Sequence, residues 1–158
     1  MDKVVVVSGG FDPIHEGHTR LFIEAEKLGD ILIVILNSDE FLDKKKSGRG
    51  GKFYNNMAER EEIINWGLGV RFGRRSKVIR SIDGGMSVCE TLGLVRKMYP
   101  SSDIIFANGG DRKCEEDILE YEVCRRLGIK MVFGVGGFDK PQSSSGLVEK
   151  VVERVNIR

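Results

Sequence analysis

The chain holds two histidines, and both stand in Gly9-Gly10-Phe11-Asp12-Pro13-Ile14-His15-Glu16-Gly17-His18. Imidazoles three positions apart on a helix share a face and can address one bound group. The segment follows Val4 to Val7, which reads as a short, fully buried strand. It precedes Leu21, Phe22, Ala25 and Leu28, apolar at helical spacing. The motif is therefore a strand-to-helix turn. N–H groups at a helix start attract phosphate, and Gly9 and Gly10 clear side chains from the path of approach. The glycine spacing of a dinucleotide fingerprint is absent.

Strand signals alternate with helical ones along the rest of the chain. This predicts an α/β fold, a Rossmann-like doubly wound parallel sheet of about five strands with helices on both faces. Ile31 to Leu36 reads as the second strand, followed by Asn37-Ser38-Asp39. Lys44 to Lys52 reads as a polar, basic, glycine-rich loop that is mobile without ligand. A helix is expected from Met57 to Trp66, with Met57, Ile63, Ile64 and Trp66 as its apolar members. The stretch Gly67 to Ser81 shows only a short strand near Val78-Ile79 and a basic cluster of Arg71, Arg74, Arg75, Lys77 and Arg80. A helix from about Ser87 to Met98 stops before Pro100. The strand Asp103 to Ala107 runs into Asn108-Gly109-Gly110-Asp111-Arg112. Then come a helix Glu116 to Leu127 ending at Gly128, a strand Ile129 to Phe133, and a loop Gly134 to Gln142. Ser143-Ser144-Ser145 opens a last helix carrying Leu147, Val148, Val151, Val152 and Val155.

In open parallel sheets, ligands bind beyond the carboxyl ends of the strands. The histidine turn, the Asn108 to Arg112 turn and the loop ending in the serines all project to that edge. Three hydroxyls at a helix start can hold β- and γ-phosphates, beyond the cap that Ser143 alone supplies.

The decapeptide resembles the G-x-F-D-x-x-H-x-G-H signature of the HxGH nucleotidylyltransferase superfamily, with its cytidylyltransferase-like fold. Gly109-Gly110-Asp111 is similar to the K-G-G-D element of the bacterial heptose 1-phosphate adenylyltransferases. Leu28 to Val34 with Asn37-Ser38-Asp39, and Ala58-Glu59-Arg60, resemble further elements of that family in the same order. The sequence departs from it at Ser143-Ser144-Ser145, where S-T-T is usual. It departs again at Asn108 in place of lysine and at Arg112 in place of an aromatic residue.

The resemblance implies transfer of a nucleoside monophosphate from an NTP, ATP favoured over CTP, to a phosphorylated small molecule such as a sugar phosphate. His15, His18 and Lys46 would be catalytic. Gly9, Gly10, Phe11, Asp12, Gly17, Gly109, Gly110, Asp111, Ser143, Ser144 and Ser145 would bind nucleotide, and Lys44, Arg60 and Arg112 the substrate. Mg²⁺ is the expected cofactor, with no dedicated carboxylates identifiable. Two other readings stand beside this one. One is a cytidylyltransferase for glycerol 3-phosphate or another alcohol phosphate; the other is a non-catalytic nucleotide sensor.

The 158 residues suffice for a single domain spanning 1–158 with its own core. A net charge of +1 argues against a general polyanion-binding surface, and the basic cluster lacks interleaved aromatics apart from Phe72, so nucleic acid is not an expected partner. Neither a membrane span nor a signal peptide is legible. The three cysteines lack CxxC spacing, so the expectation is a reduced, cytoplasmic enzyme or binding protein with no disulfide framework or zinc site; the expected assembly is a homodimer.

Overall fold

The structure is a computed structural model describing residues 1–47, 52–110, 118–137 and 143–156. Five strands form one sheet: β1 (Lys3–Gly9), β2 (Ile31–Leu36), β3 (Ser76–Arg80), β4 (Asp103–Ala107) and β5 (Lys130–Val132). Their order is β3-β2-β1-β4-β5, and every pairing is parallel. Among the described residues six α-helices accompany them: α1 (Glu16–Glu26), α2 (Asp39–Lys46), α3 (Met57–Phe72), α4 (Cys89–Met98), α5 (Tyr121–Leu127) and α6 (Ser144–Asn156). This is the expected doubly wound architecture.

Adjacent residues of the central strands serve opposite layers, as the pleat dictates. Val5, Val7, Leu32, Val34 and Leu36 pack with Phe22 and Ala25 of α1 and with Ile64, Leu68 and Phe72 of α3. Val4, Val6, Ile33, Ile35, Ile104 and Phe106 pack with Leu92 and Val95 of α4 and with Cys124 of α5. Burial on both faces explains why β1 and β2 read as unbroken apolar runs. Each such valine contributes about 1.5–3 kcal/mol of burial.

Three elements differ from the sequence expectation. Lys44, Lys45 and Lys46 are not in a loop but form the last turn of α2, where cations favour the helix dipole. Ser38 caps that helix by accepting the N–H of Phe41 (3.1 Å). Helix α3 runs through Gly67 and Gly69 to Phe72, because Ile64, Leu68 and Phe72 are all buried at four-residue spacing. That core contact outweighs the roughly 1 kcal/mol each glycine costs in a helix. Ile63 and Trp66, two of the apolar members expected in this helix, lie outside, and Val151, Val152 and Val155 of α6 are exposed as well. The fourth helix is anchored by a residue that sequence patterning did not single out. Asp83 accepts the N–H groups of Glu90 (2.8 Å) and Thr91 (3.0 Å) at the start of α4.

Candidate active site

From β1 the chain goes outward to β2 and β3, then returns to place β4 on the other side of β1. The topological switch point is therefore the gap between the carboxyl ends of β1 and β4. Gly9 and Gly10 end one strand there, and Asn108-Gly109-Gly110 follows the other. The convergence expected from topology is present.

The histidines define the turn's chemistry. His15 is the N-cap of α1, and its Nδ1 accepts the N–H of Gly17 (3.1 Å). The Nδ1 of His18 accepts the N–H of His15 (3.3 Å), completing a capping box built from two imidazoles. With Nδ1 an acceptor, the proton of each neutral ring sits on Nε2, on the side away from the helix backbone. The rings stack with centroids 3.7 Å apart and planes at 21°. Both rings stand at the positive end of a helix. One expectation is corrected here: the N–H of Gly17 is taken by His15, so the imidazoles stand in front of the helix start.

Phe11 was expected against nucleotide, but it is buried beneath the turn. Its ring packs edge-on to His18 (4.9 Å) and to Phe22 (5.0 Å). Its φ of 52° lies in the left-handed region, a strain of about 1–2 kcal/mol that burial of the ring sustains. Phe11 supports His18 from below. A Cβ at Gly9 would lie 2.8 Å from the Phe11 ring, which explains that glycine.

Asp12 is also internal. One carboxylate oxygen accepts from the Lys46 ammonium (2.7 Å) and the Tyr54 N–H (2.7 Å), the other from the Asn55 N–H (2.8 Å). Its side chain is 0% exposed and that of Lys46 only 18%. The Asp12 carboxylate thus draws the end of α2 and the start of the segment leading into α3 onto the histidine turn. Lys46 lies over the Tyr54 ring at 4.1 Å. Among the three lysines this one is brought to the turn. Lys44 pairs with Glu40 (2.8 Å) and donates to the Gly84 carbonyl (3.4 Å), away from Asp12.

Arg60, expected at the substrate, is fully buried. It donates to the carbonyls of Asn55 (3.0 Å), Gly10 (2.9 Å) and Asn37 (2.8 Å) and to the Asp39 carboxylate (2.6 Å). One guanidinium thereby ties together the ends of β1 and β2 and the starts of α2 and α3. A planar fork with five donors can do this, and a lysine cannot. The E-R pattern marked the residue but not its direction.

The serine run reaches the site as expected. Ser143 caps α6 by accepting the Gly146 N–H (3.0 Å), and the Ser144 hydroxyl donates to the Pro13 carbonyl (3.2 Å). Asp111 and Arg112 lie outside the described residues. Asn108 is buried and closes the β4–β5 edge: its N–H donates to Val132 O (2.8 Å), and its own carbonyl accepts from Val135 N–H (3.0 Å). Among the described residues, no group of three or more His, Cys, Asp or Glu could hold a metal ion. The Asp12 carboxylate is occupied by its three donors. Also among the described residues, no helix is long and apolar enough to cross a membrane.

A parallel 3-2-1-4-5 sheet with paired imidazoles at its switch point is the arrangement expected of an α/β nucleotidyltransferase. Comparison with known proteins agrees. The family model described as Cytidylyltransferase-like matches residues 6–64, which span the histidine turn, Lys46 and Arg60. The chain is 29% identical over 154 residues to FAD synthase of Thermococcus sibiricus, covering 96% of this chain and 94% of that protein. It is 31% identical over 130 residues to the bifunctional protein HldE of Desulfatibacillum aliphaticivorans, covering 82% of this chain but 23% of HldE. The chain thus spans about a quarter of the HldE proteins it matches. A solved structure of a lipopolysaccharide core biosynthesis protein from Thermoplasma volcanium superposes with a TM-score of 0.60 at 25% identity, over 88% of this chain and all of that one. Over residues 6–64 the chain matches the cytidylyltransferase-like family, and the proteins it is similar to include FAD synthase and HldE.

Proposed function

We propose that the chain transfers AMP from ATP to a phosphorylated small molecule, a sugar 1-phosphate of the heptose type, with release of pyrophosphate. The observation that carries this reading is the stacked His15–His18 pair, with both Nδ1 atoms committed to backbone N–H groups. An acceptor phosphate oxygen attacks the α-phosphorus in line, the bond to the β-phosphate oxygen breaks, and the electron pair leaves with pyrophosphate. The nucleophile is already an anion, so no covalent enzyme intermediate is needed. Positioning and charge stabilisation supply the rate.

In this reading the two Nε2–H groups donate to the triphosphate oxygens on which charge grows. Lys46 exchanges the Asp12 carboxylate for a phosphate when substrates bind, bringing its ammonium to the junction of the two. Gly109 and Gly110 leave room for the nucleotide along the sheet edge, and Ser143 to Ser145 meet the β- and γ-phosphates at the start of α6. The triphosphate arrives as its Mg²⁺ complex, so the metal is part of the substrate. ATP is favoured over CTP by the Gly109-Gly110-Asp111 resemblance and by the likeness to HldE and FAD synthase.

A second acceptor is favoured by one observation: the FAD synthase likeness extends over 94% of that protein's length. FMN is itself a phosphate monoester and would be adenylylated by the same step. The test is pyrophosphate release with ATP or CTP and, separately, heptose 1-phosphate, other sugar phosphates, glycerol 3-phosphate and FMN, with His18→Ala as control. Release with ATP and a sugar 1-phosphate, lost in the variant, is expected. Release only with CTP or only with FMN replaces the acceptor or base assigned here. Binding of ATP with no turnover on any acceptor would favour a sensor.

A further inference from the structure

Lys46 is held by more than its ion pair. Its ammonium donates to the Asp12 carboxylate (2.7 Å) and to the Asp12 backbone carbonyl (3.2 Å), and it stands 4.1 Å from the centroid of the Tyr54 ring. An ammonium has three donors and no acceptor, so two oxygens and one aromatic face can engage all of them. The Lys46 side chain is 18% exposed, whereas Tyr54 is 53% exposed. Burial does not account for the place of this ring: among the described residues it joins neither apolar cluster of the sheet.

Tyr54 acts on the lysine at two levels. Its backbone N–H donates to the same Asp12 oxygen that binds Lys46 (2.7 Å), and the next N–H, of Asn55, donates to the other oxygen (2.8 Å). The Asp12 carboxylate therefore keeps two backbone donors when the ammonium leaves it, which lowers the cost of that departure. The ring itself attracts the ammonium through its quadrupole, without a net negative charge. A carboxylate competes with an arriving phosphate for the cation and also repels the phosphate. An uncharged aromatic face does neither to a comparable degree, so it can keep the cation while the anion beside it is exchanged.

Lys44, two positions earlier in α2, shows the ordinary outcome for such a side chain: it pairs with Glu40 on the helix surface and is 51% exposed. A lysine stem has four flexible carbons, and an ammonium released from its partner tends toward water. We propose that Tyr54 is a positioning residue for Lys46, its ring holding the ammonium at the histidine turn while substrate phosphate takes the place of Asp12. This rests on the transferase reading, in which Lys46 reaches the junction of the two substrates. The ring touches no reacting atom and acts only through the lysine; the Tyr54 hydroxyl has no part in it.

Two variants separate the ring from the hydroxyl, Tyr54→Leu and Tyr54→Phe, and both keep the backbone N–H on Asp12. Pyrophosphate release is measured with ATP and each acceptor that turns over, in the wild-type and Lys46→Met backgrounds. Tyr54→Leu is expected to lower kcat about tenfold, with the KM for ATP within about twofold, because the lysine is displaced from the transition state while the nucleotide site remains. Its melting temperature is expected to match the wild type, since the ring is largely in solvent. Tyr54→Phe keeps the aromatic face and is expected within about twofold of wild type. In the Lys46→Met background Tyr54→Leu is expected to add no further loss, because the ring then has no cation to hold.

A second readout needs no turnover. With lysine isotope-labelled at its ε carbon, the Lys46 resonance is identified by its absence from Lys46→Met. It is expected to be shifted upfield by the ring in wild type and in Tyr54→Phe, and to rejoin the other lysines in Tyr54→Leu. The proposal is overturned by an unshifted Lys46 resonance in wild type, or by a Tyr54→Leu enzyme as fast as wild type. A loss shared equally by Tyr54→Phe, or one of the same size in the Lys46→Met background, overturns it as well. Each of these outcomes leaves nucleotidyl transfer itself intact. Failure of the transferase reading looks different: the wild type releases no pyrophosphate with any acceptor, or Lys46→Met is as fast as wild type, and either result removes the positioning role with it.

Discussion

Arg60 offers the sharpest division between an internal and a substrate-facing role. Replacing it with methionine keeps much of the volume and removes all four hydrogen bonds. The carbonyls of Gly10, Asn37 and Asn55 then lose their donor in a site from which water is largely excluded. Unpairing groups of this kind costs about 1–3 kcal/mol each, and breaking a buried charged contact about 3–5 kcal/mol in all. Asp39 is 34% exposed and recovers part of its loss from solvent, so its share is small. A total near 4 kcal/mol is expected, or a fall in melting temperature of about 8–16 °C for a chain of this size. Arg60→Lys keeps the charge but cannot span the same acceptors, and about half that loss is expected. Urea unfolding followed by circular dichroism measures both, alongside steady-state kinetics with ATP and acceptor. The internal role predicts lost stability with KM little changed at temperatures where the variant is folded. If Arg60→Met unfolds within about 1 kcal/mol of wild type while the acceptor KM rises a hundredfold, Arg60 touches substrate and the reasoning is wrong.

Three further outcomes are expected. Asp12→Asn places an amide N–H before groups that also donate; chemical denaturation should register a loss of about 3 kcal/mol, and an unchanged midpoint would refute the clamp on Lys46 and Tyr54. His18→Ala should lower kcat by about 10²–10³ through the lost Nε2 donor, and stability by only about 1 kcal/mol through the lost cap; a rate within a few-fold of wild type would remove His18 from the chemistry. Burial pushes the Cys124 thiol up to about 12, from an ordinary 9.0, with Glu120 adding to the shift. The folded state therefore holds its proton longer than the unfolded one, so stability is full below pH 9.0 and falls as the pH rises toward about 12. Native alkylation at pH 8, mapped by mass spectrometry, should leave Cys124 unmodified while half-buried Cys89 reacts.

Local pattern was enough for much of this protein. Four consecutive valines and the run Ile31 to Leu36 can only be strands covered on both faces, and their alternation with helical segments implies a parallel sheet. Paired histidines beside glycines after a strand mark the candidate site, because few other arrangements place two imidazoles on one helix start. What residue types cannot convey is direction. Arg60, Asp12 and Phe11 stand in the motif like ligands, yet the fold turns them inward, where their bonds hold the turn in shape. Lys44 and Lys46 are indistinguishable as letters, and the two-position step along the helix sends one to Glu40 and the other to Asp12. The continuation of α3 past two glycines, and the outward placement of Trp66, were decided by tertiary contact. Ile64, Leu68 and Phe72 needed one continuous helix to reach the sheet, and that helix leaves its opposite face to solvent. Sequence spacing determines which residues share a surface, and only packing decides whether that surface meets the core, the ligand or a second molecule.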